Sequence, residues 1–96
     1  MKTLKLNQIE ILSNGIVQLR FHKLDENGEI IGYHRTAMPP GYDIDAHMVV
    51  MNNQMAENNF AAINQEDVTK IKDHSSLAWN TELIASYRAS IDNMKP

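Results

Sequence analysis

The residues best suited to chemistry in this chain are two histidines, His22 and His34, and the adjacent Arg35. Neutral imidazoles on neighbouring strands can hold a transition metal when a third ligand joins them. Glu10 and Asp25 are nearby, but neither stands at a telling spacing, so a pair of solvated sheet histidines is the simpler reading. Arg35, ahead of Pro39-Pro40-Gly41, can grip a carboxylate or phosphate through its planar fork. It can equally lie at a sheet rim with its stem packed and its head in water, or pair with Asp43 or Asp45. Asp43-Ile44-Asp45 lacks the alternating oxygens, the glycine and the distal glutamate of a calcium loop, and helix capping explains it better. Ser13, Ser75, Ser76, Ser86 and Ser90 all lie outside any nucleophile-elbow context. The glycines are absorbed by turns and strand rather than by a phosphate cradle. These residues predict no catalytic group, no metal, no cofactor and no small-molecule substrate.

The elements that must position these side chains are announced by Asn14-Gly15 and Asn27-Gly28, each between short apolar runs. Asn-Gly in that setting is a hairpin signal, because both residues tolerate a positive φ. A two-residue turn at Asn14-Gly15 mixes polar and apolar residues on each face. A three-residue loop, Ser13-Asn14-Gly15, pairs Ile11 with Val17 and Ile9 with Leu19, which gives one clean apolar face. The same loop at Glu26-Asn27-Gly28 pairs Phe21 with Tyr33 and Lys23 with Ile31. The apolar face is then Ile9, Ile11, Val17, Leu19, Phe21, Ile31 and Tyr33. The opposite face carries Glu10, Gln18, Arg20, His22 and His34, with Leu24, Ile30 and Gly32 as apolar exceptions, and it either stays wet or meets another subunit.

Pro39-Pro40-Gly41 ends the third strand, since neither proline can donate to a ladder. The period then changes. Ile44, Met48, Met51 and Met55 recur at helical spacing from about Ile44 to Asn58, behind Asp43 or Asp45 as N-cap. The methionine stripe reads as core, with an adaptable inter-subunit contact as the alternative. Asn64 with Asp67 three residues on resembles a capping box, opening a second helix lined by Val68, Ile71 and Ala78. Asn80 caps a third, with Trp79 and Ile84 placed as a hydrophobic staple and Leu83, Ile84, Tyr87, Ile91 and Met94 as its stripe, ending before Lys95-Pro96. Strands followed by helices predict an α+β fold: a three-stranded antiparallel meander over about 4–38, then two or three helices over about 44–94, in a single domain spanning 1–96.

Composition narrows the function classes. A net charge of −3 with nine scattered cations predicts no non-specific nucleic-acid binding. No cysteine is present, so disulfide and thiolate chemistry do not contribute. The N-terminal Met1-Lys2-Thr3-Leu4-Lys5-Leu6 has no apolar core of a signal peptide. The longest apolar run is Met48 to Met51, too short to span a membrane.

Three strings carry a resemblance: Ile9-Glu10-Ile11-Leu12-Ser13-Asn14-Gly15-Ile16-Val17-Gln18-Leu19-Arg20; Gly32-Tyr33-His34-Arg35 leading to Pro39-Pro40-Gly41-Tyr42-Asp43; and Trp79-Asn80-Thr81-Glu82-Leu83-Ile84-Ala85-Ser86-Tyr87-Arg88-Ala89. In this order they resemble a group of small tailed-bacteriophage and prophage proteins encoded near tail and tail-fibre genes. The chain departs from that pattern in starting its last helix Asn80-Thr81-Glu82 rather than Thr-Pro-Glu, in Tyr42, and in a longer middle from Asn52 to Asn64. The resemblance implies a non-enzymatic structural or adaptor protein of the virion tail, or of the host cytoplasm during assembly, with other tail proteins or further copies of itself as partners. The alternatives are a small phage factor that inhibits a host protein and a tail-fibre assembly chaperone. The contact residues expected on the residue reading are Gln18, Arg20, His22, His34 and Arg35 on the sheet and Met48, Met51 and Met55 on the first helix.

Overall fold

Both Asn-Gly turns close as three-residue loops. The computed structural model describes the backbone of residues 1–94 and the side chains of residues 1–91. In the first turn the Leu12 N–H donates to Ile16 O at 2.9 Å and the Gly15 N–H donates to Leu12 O at 2.9 Å, with Gly15 at φ 90°. Asn14 Oδ1 accepts from the Ile16 N–H. In the second, Asp25 and Glu29 close the loop and Gly28 takes φ 81°. The Asp25 carboxylate accepts from the N–H groups of Asn27 and Glu29, which stiffens the loop from inside.

The turns join β1 (Thr3–Ile11), β2 (Val17–Leu24) and β3 (Ile30–Met38) into an antiparallel sheet in the order β1-β2-β3. Ile11 faces Val17 and Ile9 faces Leu19, the register that side-chain parity predicts. Farther along β1 the register shifts between Leu6 and Gln8, leaving Asn7 as an extra residue. This bulge keeps both apolar pairs of β1 on one face. Leu4 and Leu6 are even, Ile9 and Ile11 odd, and one inserted residue reconciles the two parities.

The β2–β3 register differs from the sequence expectation. Leu24 pairs with Ile30, the register then shifts past Ile31, and Gly32, Tyr33 and His34 fall opposite Lys23, His22 and Phe21. The expected pairs Phe21–Tyr33 and Lys23–Ile31 do not form. Tyr33 and Ile31 are exposed, at 51% and 52%, while Phe21 is fully buried. Gly32, expected on the polar face, lies under Lys23, whose Cδ comes within 3.5 Å of where a Cβ would stand. The slip brings Met38 opposite Val17, where both are fully buried just before the chain turns at Pro39. Burying that pair outweighs exposing Ile31 and Tyr33 in part, because a large side chain contributes its full transfer free energy only when water is excluded.

Three helices follow: α1 (Ile44–Ala56), α2 (Gln65–Ala78) and α3 (Thr81–Met94). The fold is α+β, with the sheet first and the helices after it. Asp43 caps α1, its carboxylate accepting from the Ala46 N–H at 3.0 Å. Met48 and Met51 enter the core with Leu4, Val17, Leu19, Phe21 and Met38, and Met55 and Ile44 pack against its margin. After α1, Asn59 takes φ 66° and the chain returns beneath β1. There Phe60 bridges Lys2 in parallel and the Ala61 N–H donates to Lys2 O at 2.8 Å.

Asn64 caps α2 by accepting from the Asp67 N–H. Asp67 does not complete the reciprocal box. The residue is only 6% exposed, and its carboxylate accepts from the Leu6 N–H of β1 at 3.1 Å. Val68 and Ile71 are buried as expected, Ala78 is half-buried, and Ser75 is fully buried beside them. Asn80 caps α3 through the Leu83 N–H at 2.8 Å. Leu83, Ile84 and Tyr87 are half-buried and Ile91 is exposed; the Met94 side chain and Lys95-Pro96 lie outside the described residues.

Candidate functional site

The sheet has one roofed face and one open face, and its two edges differ. The outer edge of β1 is engaged by Ala61, Phe60 and the Asp67 carboxylate. Among the described residues, no backbone group of another segment pairs with the outer edge of β3. Unpaired strand edges are templates for a further strand.

On the open face the side chains fall in rows across the strands. One row is Gln8, Arg20 and Arg35; the next is Glu10, Gln18 and Ala37; a third places His22 between Lys5 and Tyr33. A depression of about 400 Å³ lies over the first two rows, lined by Gln8, Glu10, Gln18, Arg20, Arg35 and Ala37 among others. Arg20 is held within it. Its Cζ lies 4.5 Å from the centroid of Tyr33, a cation–π contact, and its Nε is buried with no hydrogen-bond partner. Tyr33 also receives His22 edge-on at 5.3 Å between ring centroids.

Gln18, Arg20, His22 and Arg35 share this face, but His34 does not. The bulge at Ile31 turns His34 to the roofed side, with its ring 6.2 Å from that of Phe21. His22 and His34 are therefore separated by the sheet, and the diagonal histidine pair considered from sequence is not assembled. Among the described residues no three metal-ligating side chains converge. The expected Arg35 pairing with Asp43 or Asp45 is also absent: Asp43 caps α1, and Asp45 pairs with Lys72 at 2.8 Å. Met48 and Met51 lie in the core and Met55 at its margin, which satisfies the core reading of the methionine stripe.

On the roofed side His34 has its pKa lowered from 6.5 by burial first, then by the nearby charges of Lys23 and His47. His47 on α1 is lowered by burial; its Nε2 is 2.7 Å from Thr36 Oγ1 and its ring meets Tyr42 edge-on at 5.5 Å. A protonated imidazole is poorly solvated in this pocket. The arrangement holds β3 to α1.

Sequence reasoning missed Gln8 and Tyr33 as members of the open face. The signal for Gln8 was the parity change between Leu6 and Ile9, which demands an inserted residue. The signal for Tyr33 was weaker: Gly32 under a lysine stem and Met38 at the strand's end both ask for even residues inward. No protein-family model, curated protein or solved structure matches this chain.

Proposed function

We propose that this protein is a non-enzymatic contact module, a structural or adaptor component associated with a phage tail, which binds another protein through the β3 side of its sheet. The observation that carries this reading is the asymmetry of the sheet. β1 is covered by the chain's own Phe60-Ala61 segment and Asp67, whereas β3 and the polar face beside it are left to solvent. A strand of nine residues with a free edge supplies a row of backbone donors and acceptors, and the side chains beside it supply selectivity. The tail context is supported by the resemblance of the opening hairpin, the Gly32–Asp43 segment and the last helix to small tail-region proteins.

Cross-linking mass spectrometry on assembled particles tests it. The chain should be recovered with the particle, and cross-links to another tail protein should start from Lys5, which stands on the open face opposite His22. Absence from particles and from any complex with their components would reject the assignment and favour a host-directed role.

A further inference from the structure

Arg20 and Arg35 stand directly opposite one another on β2 and β3. Like charges in that relation, with Cβ atoms about 5 Å apart, destabilise a sheet. A neighbouring carboxylate would resolve the conflict, and among the described residues none lies within ion-pair distance of either guanidinium. Among the described residues the sole ion pair is Lys72–Asp45, on the other side of the fold. Glu10 borders the same depression without reaching ion-pair distance of either guanidinium. Arg20 is moreover held before anything binds by its cation–π contact with Tyr33. Preorganised donors lose little entropy on binding. Gln8 and Gln18 place amides around the same depression.

We infer that this depression is a carboxylate clamp, which takes an Asp or Glu side chain from an extended acidic segment of a partner protein laid along the free edge of β3. The inference rests on the contact-module reading and specifies the partner's chemistry. Two guanidinium forks can hold one carboxylate from both sides through their terminal N–H groups, which removes the like-charge conflict. The depression of about 400 Å³ has room for a carboxylate side chain. The β3 edge contributes main-chain pairing, and the arginines choose which strand is accepted.

The test is a titration of the nitrogen-15-labelled full chain with a peptide as long as β3 that alternates threonine and glutamate, and with its threonine–glutamine counterpart. The acidic peptide should shift the Arg20 side-chain Nε–H and the backbone amides of Arg35, Thr36 and Ala37, and bind about tenfold or more tightly than the neutral one. Arg20→Gln and Arg35→Gln should each remove most of that preference. Arg35→Gln relieves repulsion and leaves the Arg20–Tyr33 residues in place, so its melting temperature should hold or rise, which separates lost binding from lost folding. Equal affinity for the two peptides at the same amides would overturn the clamp and leave the β3-edge reading intact. Binding by neither peptide at millimolar concentration, or shifts confined to other surfaces, would also overturn it; the contact-module reading stands or falls separately, on the particle cross-links.

Discussion

Gly15 and Gly28 occupy the same position in the same kind of loop, and their surroundings differ in every other respect. Both are left-handed, at φ 90° and 81°. Gly28 has open space where a Cβ would stand. At Gly15 that Cβ would lie 2.6 Å from Leu83 Cδ2 and 2.8 Å from Pro40 Cγ. The Gly15 carbonyl also accepts from Trp79 Nε1 at 2.6 Å. One turn is thus a free tip stiffened by its own Asp25, and the other is the seat on which α3 docks. The comparison teaches that local turn chemistry sets backbone shape, while the residues that later arrive decide what the turn contributes.

Substitution can break or sharpen this contrast. The largest expected effect is Gly15→Ala, which adds a clash with the Pro40 ring and Leu83 to the left-handed strain, and should cost about 3 kcal/mol in denaturant unfolding. If its cost matched that of the same change at Gly28, the docking of α3 on the first turn would be wrong. Next is Trp79→Phe, which keeps an aromatic ring and removes the hydrogen bond to the Gly15 carbonyl; a loss of about 1–2 kcal/mol is expected. The native tryptophan should emit at a shorter wavelength than free indole in water, and a fully water-like spectrum would contradict its half-buried place. Gly28→Ala should cost about 1 kcal/mol or less, from backbone strain alone.

The smallest effect probes the slipped register of the second hairpin. Burial lowers the pKa of both His34 and His47 below 6.5. The unfolded chain therefore binds more protons than the native one in that range. Stability is fully present above about 6.5 and is lost as the pH falls through the lowered native values. Proton NMR titration should place both midpoints below 6.5, and thermal melting should show a shallow decline over the same window. A His34 midpoint above 6.5 would return that residue to the open face and restore the unbulged pairing.

Much of the scaffold was legible in the residue order. The two three-residue loops follow from Asn-Gly and the parity of the residues flanking Asn14-Gly15. The caps Asp43, Asn64 and Asn80 follow from the short polar side chain that each places before an apolar period, and the Met48/Met51 core face from helical spacing. The candidate site was half legible. Gln18, Arg20 and His22 were placed on the open face, whereas Tyr33 and His34 were exchanged across the sheet and Arg35, read at the sheet rim, joins the open face through the same slip. A single bulge at Ile31 made that exchange, because a strand has a period of two and one extra residue inverts every side chain beyond it.

Short-range chemistry, then, was enough to specify turns, caps, helix faces and the α+β order of elements, since each depends on neighbours within a few residues. Which face Tyr33 and His34 take, which edge of the sheet stays open, and why Gly15 tolerates no side chain were settled by contacts remote in sequence: Met38 against Val17, Asp67 against Leu6, and Trp79 and Leu83 against the first turn. Those contacts compete through buried area and shape, quantities that exist only once the distant segments have met.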